Sequence, residues 1–244
     1  MRRTTPTIRR IAVAAVVATI LALATSAMAP VGATDRPTPE AAPVLKADYR
    51  FANNLNSSVA GARPLTNTGA QGTNTFATEN VEGVQRRVMR FPAGNGVQLS
   101  NASTVIPRDR YTIVVRVRFD DITSFTRVIN FTKNASPDTG VYLAQGRFWY
   151  YPLDGGAYDS VADPDEWVDI AVTRGSGGLM RGFVDGIEVW EEAAPTAGLT
   201  NSANLIRFFR DNGSGVGETH SGAVSRIRLW NKPLTPAQVT ALST

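Results

Sequence analysis

The segment SGAVSRIRLWNKPLTPAQV, residues 221–239, contains the clearest structural signals of this 244-residue chain. Its first half is rich in β-branched and aromatic residues, which are typical of a strand. Thr235 followed by Pro236 is the pattern of an N-cap and a first helical position. We therefore predict a last strand over residues 223–230 and a short helix over residues 235–242.

Upstream of this segment, short apolar runs alternate with Gly, Asn, Asp and Pro, as in strands joined by tight turns. Residues 111–119 alternate between apolar and polar side chains, and Asp185-Gly186 between two alternating runs predicts a hairpin. These patterns predict one all-β domain, either a sandwich or a barrel. The other predicted strands cover residues 44–51, 84–91, 96–99, 126–131, 141–144, 147–151, 167–174, 179–184, 187–191 and 205–210.

Residues 221–239 resemble the closing strand and helix of laminin G-like, concanavalin A-like modules, which end in a pattern close to G-x-V-x-x-I-R-I-[WY]-[ND]-x-x-L-[ST]-x-x-[EQ]-V. The resemblance spans about residues 45–242 and implies an antiparallel two-sheet β-sandwich, a jelly roll, with a short C-terminal helix. We assign residues 44–244 to this domain. Further matches, in family order, are at residues 49–55, 111–113, 167–174 and 183–186.

The N-terminus has the pattern of an export signal. Basic residues precede the apolar run of residues 11–24, which is too short to span a bilayer but suits a signal peptide. We predict a signal peptide over residues 1–33, with cleavage after Ala33 favoured over Ala29, and a proline-rich linker over residues 34–43. The protein is then secreted and extracellular, with no membrane insertion after cleavage. An uncleaved membrane anchor is the alternative interpretation.

The formal charge of +4 and the pI of about 9.7 depend on the predicted signal peptide. Arg2, Arg3, Arg9 and Arg10 are the charged residues of that segment, and without them the chain has as many basic as acidic residues. A balanced chain is a poor partner for nucleic acid, so we predict none. Arginine pairs on the strands, such as Arg226 with Arg228, are interpreted as solvent-facing.

The residue inventory excludes several kinds of catalytic and metal site. No Cys is present, which excludes disulfides, thiolate metal sites and cysteine catalysis, and the single His leaves a Ser-His-Asp triad only His220. Glu188 and Glu192 are the nearest match to a glucanase pattern, but they would lie about 13 Å apart on a strand, too far for glycosidase geometry. Glu166 and Asp169 point to opposite faces of a strand. These acids are interpreted as solvated strand ends, and no catalytic residue is predicted.

The aromatic run FWYY, residues 148–151, is the strongest candidate for a ligand-binding strand. Trp149 and Tyr151 share one face, where sugar rings could stack, while the other two rings can fill the core. Asp154 and Tyr158 follow in a Gly-rich loop and could supply polar contacts. The alternative is that both pairs of rings are buried, because sandwich cores are rich in aromatic residues.

The resemblance also implies a possible Ca²⁺ ion, because many such modules hold one at a rim of the sandwich. Asp211 and Glu218 match an acidic pair around the loop before the last strand in similar bacterial sequences, and we hypothesise that they share one structural Ca²⁺. The alternative is that these acids cap turns and pair with Arg210 or Arg226.

These observations predict a secreted, non-catalytic recognition module that binds carbohydrate, in the manner of a lectin. The expected partner is a glycan or a cell-surface protein. Two alternatives stay open: a protein-interaction or adhesion domain that binds no sugar, and an atypical glycan hydrolase or lyase that uses Glu188, Glu192 or His220.

Overall fold

The structure, a computed structural model, describes residues 41–132, 138–153, 155–156, 161–193, 204–211 and 217–243. The predicted signal peptide and most of the predicted linker lie outside these residues. In chain order, the strands are β1 (Leu45–Tyr49), β2 (Thr66–Thr68), β3 (Thr75–Val81), β4 (Val84–Phe91), β5 (Gly96–Ser100), β6 (Tyr111–Phe119), β7 (Thr126–Asn130), β8 (Gly140–Ala144), β9 (Arg147–Tyr151), β10 (Gly155–Gly156), β11 (Val168–Arg174), β12 (Leu179–Val184), β13 (Ile187–Ala193), β14 (Leu205–Phe208) and β15 (Gly222–Trp230).

The strands form two antiparallel sheets, which confirms the predicted all-β sandwich. The eight-stranded sheet has the order β13-β12-β11-β6-β15-β4-β3, with β1 also paired to β15. The seven-stranded sheet has the order β10-β9-β8-β7-β14-β5-β2. Neighbouring strands that are distant in sequence, such as β6 and β15, bring residues from the middle and the end of the chain together.

The last strand, β15, connects several parts of the eight-stranded sheet. One edge pairs with β6 along almost its whole length, with a shift in register between Val224 and Arg226. The other edge is shared, because β4 pairs with the first residues of β15 and β1 pairs with the last ones. The strand predicted from its apolar pattern therefore lies in the interior of the sheet.

Burial between the sheets follows the period of two that the sequence shows. Alternate residues of β6 are at most 3% exposed and face the opposite sheet, namely Tyr111, Ile113, Val115, Val117 and Phe119. The two sheets approach closely where Gly182 of β12 faces the ring of Phe148 of β9. Close packing of this kind stabilises the fold through the burial of apolar surface.

The single described α-helix, α1 (Pro236–Thr240), follows β15 as expected. Thr235 and Gln238 form a reciprocal capping box, in which the Gln238 N–H donates to Thr235 Oγ1 and the Thr235 N–H donates to Gln238 Oε1. Val239 belongs to an apolar cluster with Val114 and Phe183, on the face of the eight-stranded sheet away from the core. No helix among the described residues is long and apolar enough to cross a bilayer.

Three strands were not predicted from the sequence, namely β2, β3 and β10. Each lies at an edge of its sheet. The first two are polar, with the sequences TNT and TFATENV, and the third consists of two glycines. Edge strands bury less side-chain surface than central strands, so their apolar pattern is weak.

Asp48 ties β1 to β15 through its buried carboxylate. Its carboxylate is 1% exposed and accepts hydrogen bonds from Arg226 Nε at 2.7 Å and Arg50 Nε at 2.7 Å. Ser58 Oγ donates a further bond at 3.0 Å. Burial works against the charged carboxylate, but the bonds from Arg226 and Arg50 outweigh it, so the pKa of Asp48 lies below its usual value.

Replacement of Gly182 by Ala should destabilise the sandwich. A Cβ at this position would lie 2.4 Å from two ring carbons of Phe148, so the sheets must separate or the ring must move. We expect the free energy of unfolding to fall by about 2 kcal/mol, measured by urea denaturation. Gly177→Ala is the matched control, because no atom lies within 4 Å of its Cβ position. Equal stability of the two variants would contradict the close approach of the sheets.

Asp48→Asn should destabilise the protein in a pH-dependent way. Because the folded-state pKa is lowered, the ionised carboxylate stabilises the fold above its ordinary pKa, and this contribution is lost as the pH falls below about 4. We expect the variant to lose about 2 kcal/mol at pH 7 and less at pH 3, by denaturation at both pH values. Asp163→Asn, at an exposed position, is the control. A loss independent of pH would show that the charge of Asp48 is not what stabilises the junction.

Candidate functional site

Strand β9 places its aromatic residues on alternate faces. Phe148 and Tyr150 are fully buried and lie 6.1 Å and 5.5 Å from the ring of Trp190, measured between ring centroids. Trp149 and Tyr151 therefore point to the outer face of the seven-stranded sheet, where Tyr151 is 52% exposed. Of the two arrangements considered for these four rings, the structure has the one in which one pair is buried and the other pair faces outward.

Trp149 is only partly buried and belongs to a row of side chains that crosses three strands. It lies opposite Tyr142 of β8, which in turn lies opposite Arg127 of β7. Phe125, which is 44% exposed, packs edge-on against both Tyr142 and Trp149, with centroids 5.6 Å and 5.9 Å away. We call Phe125, Trp149 and Tyr151 the aromatic surface.

The indole N–H of Trp149 is buried and has no hydrogen-bond acceptor among the described residues. A buried indole N–H usually has a partner, so this donor lacks a contact that such groups normally make. The other two predicted ligand-binding residues, Asp154 and Tyr158, lie outside the described residues.

Arg127 extends this row toward a cluster of acids. Its side chain is fully buried, and Nη2 lies 2.9 Å from both carboxylate oxygens of Asp138. The same nitrogen contacts Asp211 and lies 3.5 Å from Glu218. The guanidinium carbon is 3.8 Å from the centroid of the Tyr142 ring, a cation–π contact.

The three carboxylates form one acid cluster. One oxygen of each of Asp138, Asp211 and Glu218 lies within 4.8 Å of the others, so the group could hold a metal ion. Their side chains are 21%, 22% and 42% exposed, whereas Arg127 is buried beneath them. The acids thus present oxygen atoms toward solvent and contact a cation on their inner side.

Electrostatics within the acid cluster favour a charged Arg127 and a neutral Tyr142. Burial lowers the pKa of Arg127, but its interactions with Tyr142, Asp138 and Asp211 outweigh burial and raise the pKa above its usual value. Burial raises the pKa of Tyr142. Its protonated hydroxyl lies 2.5 Å from Asp138 and 2.9 Å from Glu218, to either of which it can donate.

The structure brings Asp211 and Glu218 together, as the sequence predicted, but it adds residues that sequence reasoning missed. Both acids contact Arg127, which the sequence analysis did not consider, whereas Arg226, one of the alternative partners, pairs with Asp48. A signal for this was present, because an arginine within the short strand TRVIN must be solvated or paired with acids. No sequence pattern distinguished Asp138 from the other acidic residues in predicted loops.

His220 lies near the same rim but does not form a Ser-His-Asp relay with its described neighbours. Its Nδ1 is 2.7 Å from Thr126 Oγ1, whereas both Ser124 Oγ, at 3.4 Å, and Asp121 Oδ2, at 3.8 Å, lie next to Nε2. In a relay, the serine and the acid would contact opposite ring nitrogens. The ring is held in place by hydroxyls from the loop before β7 and the start of β7.

Two of the other acids considered as catalytic candidates, Asp169 and Glu188, form ion pairs on the eight-stranded sheet. Asp169 was predicted to be a solvated strand end, and this is wrong: it is 1% exposed and makes a two-point ion pair with Arg116, at 2.9 Å and 2.6 Å. Asp169 lies on β11, which pairs with a strand on each side, and this position within the sheet buries the residue. Glu188 lies 3.5 Å from Arg181 Nε on the neighbouring strand.

Comparison with solved structures gives the same fold. Domain 4 of AbnA, a GH43 extracellular arabinanase from Geobacillus stearothermophilus solved with arabinotriose, is 20% identical, with a TM-score of 0.67 over 83% of this chain and 99% of that domain. The binding domain of Paraclostridial Mosquitocidal Protein 1 is 11% identical, with a TM-score of 0.60 over 82% of this chain.

Botulinum neurotoxin binding domains are similar in the same way. The C/D mosaic serotype domain is 12% identical, with a TM-score of 0.59. The chain spans about half the length of this and the mosquitocidal domain, 50% and 51% respectively. No curated protein matches the chain at the level of sequence.

A family model described as the concanavalin A-like lectin/glucanases superfamily matches residues 91–240, which is more than half of the chain. The match includes β6, β15 and α1, and so confirms the resemblance first recognised in residues 221–239. Together with the two antiparallel sheets, it shows that this chain belongs to the concanavalin A-like lectin/glucanase superfamily.

Proposed function

We propose that this protein is a secreted, non-catalytic recognition module that binds carbohydrate on the outer face of its seven-stranded sheet. The observation that carries the proposal is the aromatic surface formed by Phe125, Trp149 and Tyr151. Partly exposed rings on an ordered strand are suited to stacking against the apolar faces of sugar rings. Secretion rests on the predicted signal peptide of residues 1–33.

The aromatic surface also offers a directed polar contact. The buried indole N–H of Trp149 has no acceptor among the described residues, and a sugar hydroxyl would supply one. A surface that combines apolar ring faces with few, fixed polar groups is typical of small-molecule recognition. The relatives support this class of ligand, because one was solved with arabinotriose and another is described as interacting with gangliosides.

The acid cluster supports a second part of the proposal, a structural Ca²⁺ ion. Carboxylate oxygens are the ligands that Ca²⁺ prefers, and Asp138, Asp211 and Glu218 place three of them close together. Arg127 neutralises one of the three charges from the inner side, which leaves a net charge suited to a divalent cation. The residues fit the ion, which would link the segments before β8, after β14 and before β15.

Removal of the aromatic surface should weaken sugar binding. We expect Trp149→Ala to raise the Kd for the strongest ligand of a glycan panel that includes arabinotriose at least tenfold, about 1.4 kcal/mol, because stacking and the indole donor are both lost. Tyr151→Ala should have a smaller effect in the same direction, measured by calorimetry. Trp149→Phe keeps a ring without the donor and should fall between the wild type and Trp149→Ala.

The matched control is Ile187→Ala, at a position that is 68% exposed on β13 of the other sheet. It should bind as the wild type does. Binding that survives Trp149→Ala and Tyr151→Ala would contradict the site. A blank glycan panel with capture of a protein partner would favour an adhesion domain, and polysaccharide turnover that is lost on changing Glu188, Glu192 or His220 would favour an enzyme.

Calcium should raise the thermal stability of the protein. We expect the Tm in 2 mM CaCl₂ to exceed that in chelator by about 4 °C, the shift for about 1–2 kcal/mol in a domain of this size. Asp138→Asn should remove most of the difference, whereas Asp163→Asn, at an exposed position outside the acid cluster, should keep it. An unchanged Tm of the wild type between calcium and chelator would contradict the metal site.

A further inference from the structure

A groove of about 460 Å³ lies on the outer face of the eight-stranded sheet. It is therefore on the opposite side of the sandwich from the aromatic surface. Leu242, after α1, and Ser225 of β15 contribute to its walls. Most of its other lining residues are arginines, namely Arg50, Arg86, Arg87, Arg116, Arg226 and Arg228. We call this feature the arginine groove.

Acids neutralise only part of the arginine groove. Asp48 pairs with Arg226 and Arg50, each at 2.7 Å. Arg116 pairs with Asp169 and Glu82, each at 2.6 Å. Three carboxylates, those of Asp48, Asp169 and Glu82, thus form ion pairs with three of the six arginines.

The remaining arginines, Arg86, Arg87 and Arg228, have no carboxylate partner among the described residues. Arg87 donates to the neutral side chains of Thr78 and Asn53, and Arg86 is exposed. The groove therefore has an excess of positive charge, although the chain beyond the predicted signal peptide is balanced.

Arg228 is a buried residue of the arginine groove, and the prediction that it faces solvent is wrong. It is only 7% exposed, because β1 pairs beside it and Trp230 lies along its side chain, with the ring centroid 5.6 Å from Cζ. Its Nε is buried without an acceptor among the described residues. Burial and the neighbouring Arg226 lower the pKa of Arg228 to about 10.

Ser225, three residues earlier on β15, is also a buried polar residue that lines the groove. It is 5% exposed, and its hydroxyl is buried without a partner in the described part of the chain. The Nε of Arg228 and the hydroxyl of Ser225 are buried donors without an acceptor among the described residues, and such groups are costly and rare in native structures. Both residues line the arginine groove, where a bound anion would supply acceptors.

We propose that the arginine groove binds a tetrahedral oxyanion, sulfate or phosphate, either free or carried on a polysaccharide. Guanidinium groups bind such anions through two parallel hydrogen bonds, and a serine hydroxyl adds a third donor. Arg228 and Ser225 are the buried residues of the site, and the exposed Arg86 and the half-buried Arg87 add positive charge. This site is independent of the proposed sugar site, since the two lie on opposite sheets.

The experiment measures thermal stability while sodium sulfate or sodium phosphate replaces sodium chloride at constant ionic strength and pH 7. We expect the Tm of the wild type to rise as the anion saturates its site, by about 3 °C at an anion concentration of ten times the Kd. Arg228→Gln and Ser225→Ala should lose most of this rise. Arg86→Gln, at an exposed position, should weaken the affinity at least twofold.

Arg110→Gln is the control, because it removes the same charge from an exposed position outside the arginine groove. Sulfate stabilises many proteins without binding, and that effect is common to all variants. The proposal is overturned if Arg110→Gln lowers the response as much as Arg228→Gln and Arg86→Gln, or if no variant differs from the wild type.

Two further arms distinguish the sources of the anion. Dextran sulfate is compared with uncharged dextran by calorimetry, at a concentration of sulfate groups equal to that of the free anion. Tighter binding of dextran sulfate that Arg86→Gln weakens supports an anionic polysaccharide, and equal affinity for inorganic anion supports a free one. We expect Trp149→Ala to lose binding of neutral glycans but to keep its response to the anions. The failure of one proposal can therefore be distinguished from the failure of the other.

Discussion

The structure depends on the burial of alternate residues between two sheets. The chain has no cysteine, so no disulfide supports the fold, and burial of apolar surface must supply its stability. This requirement fixes which side chains face inward: Ile113 and Val115 on β6, and Phe148 and Tyr150 on β9. The remaining positions of the same strands are then forced onto the outer faces, where the side chains with recognition chemistry lie.

Each outer face has its own character for this reason. The face of the seven-stranded sheet presents rings, because Trp149 alternates with core residues of β9. The face of the eight-stranded sheet presents arginines, because Arg226 and Arg228 alternate with Ile227 and Leu229 of β15. A one-residue shift in register would exchange the inner and outer sets of a strand, so burial of the core also specifies both surfaces.

Three guanidinium groups, two of them buried and that of Arg116 half-buried, show how far the protein neutralises its own charges. Arg127 contacts three carboxylates, and Arg116 forms a two-point ion pair with Asp169. Arg228 is 7% exposed and has no ion pair within the described residues. Arg127 also has buried nitrogens without an acceptor there, but its charge is paired with carboxylates, whereas the charge of Arg228 is not.

Much of the sandwich could be predicted from local sequence. The alternation of β6, the Asp185-Gly186 turn between β12 and β13, and the Thr235 cap of α1 depend only on neighbouring residues, and all are present. The polar edge strands β2 and β3 were missed because they bury little apolar surface.

The site could be predicted only in part, because its residues meet through the topology. Trp149 and Tyr151 follow from the alternation of one strand, and Asp211 and Glu218 from a family pattern. Arg127 and its acids come from segments separated by up to 91 residues, which no local pattern joins. The burial of Arg228 was missed for the same reason, since β1, at the other end of the domain, pairs beside it.

Sugar binding at Trp149 can be followed through the resonances of the indole N–H groups. The chain has four tryptophans, and Trp149→Phe assigns the relevant signal in a ¹⁵N–¹H spectrum. On titration with the strongest glycan of the panel, we expect a saturable shift of the Trp149 indole resonance and an unchanged signal from Trp230 on the opposite sheet. An unshifted Trp149 signal at ligand concentrations where calorimetry shows full binding would contradict the claim.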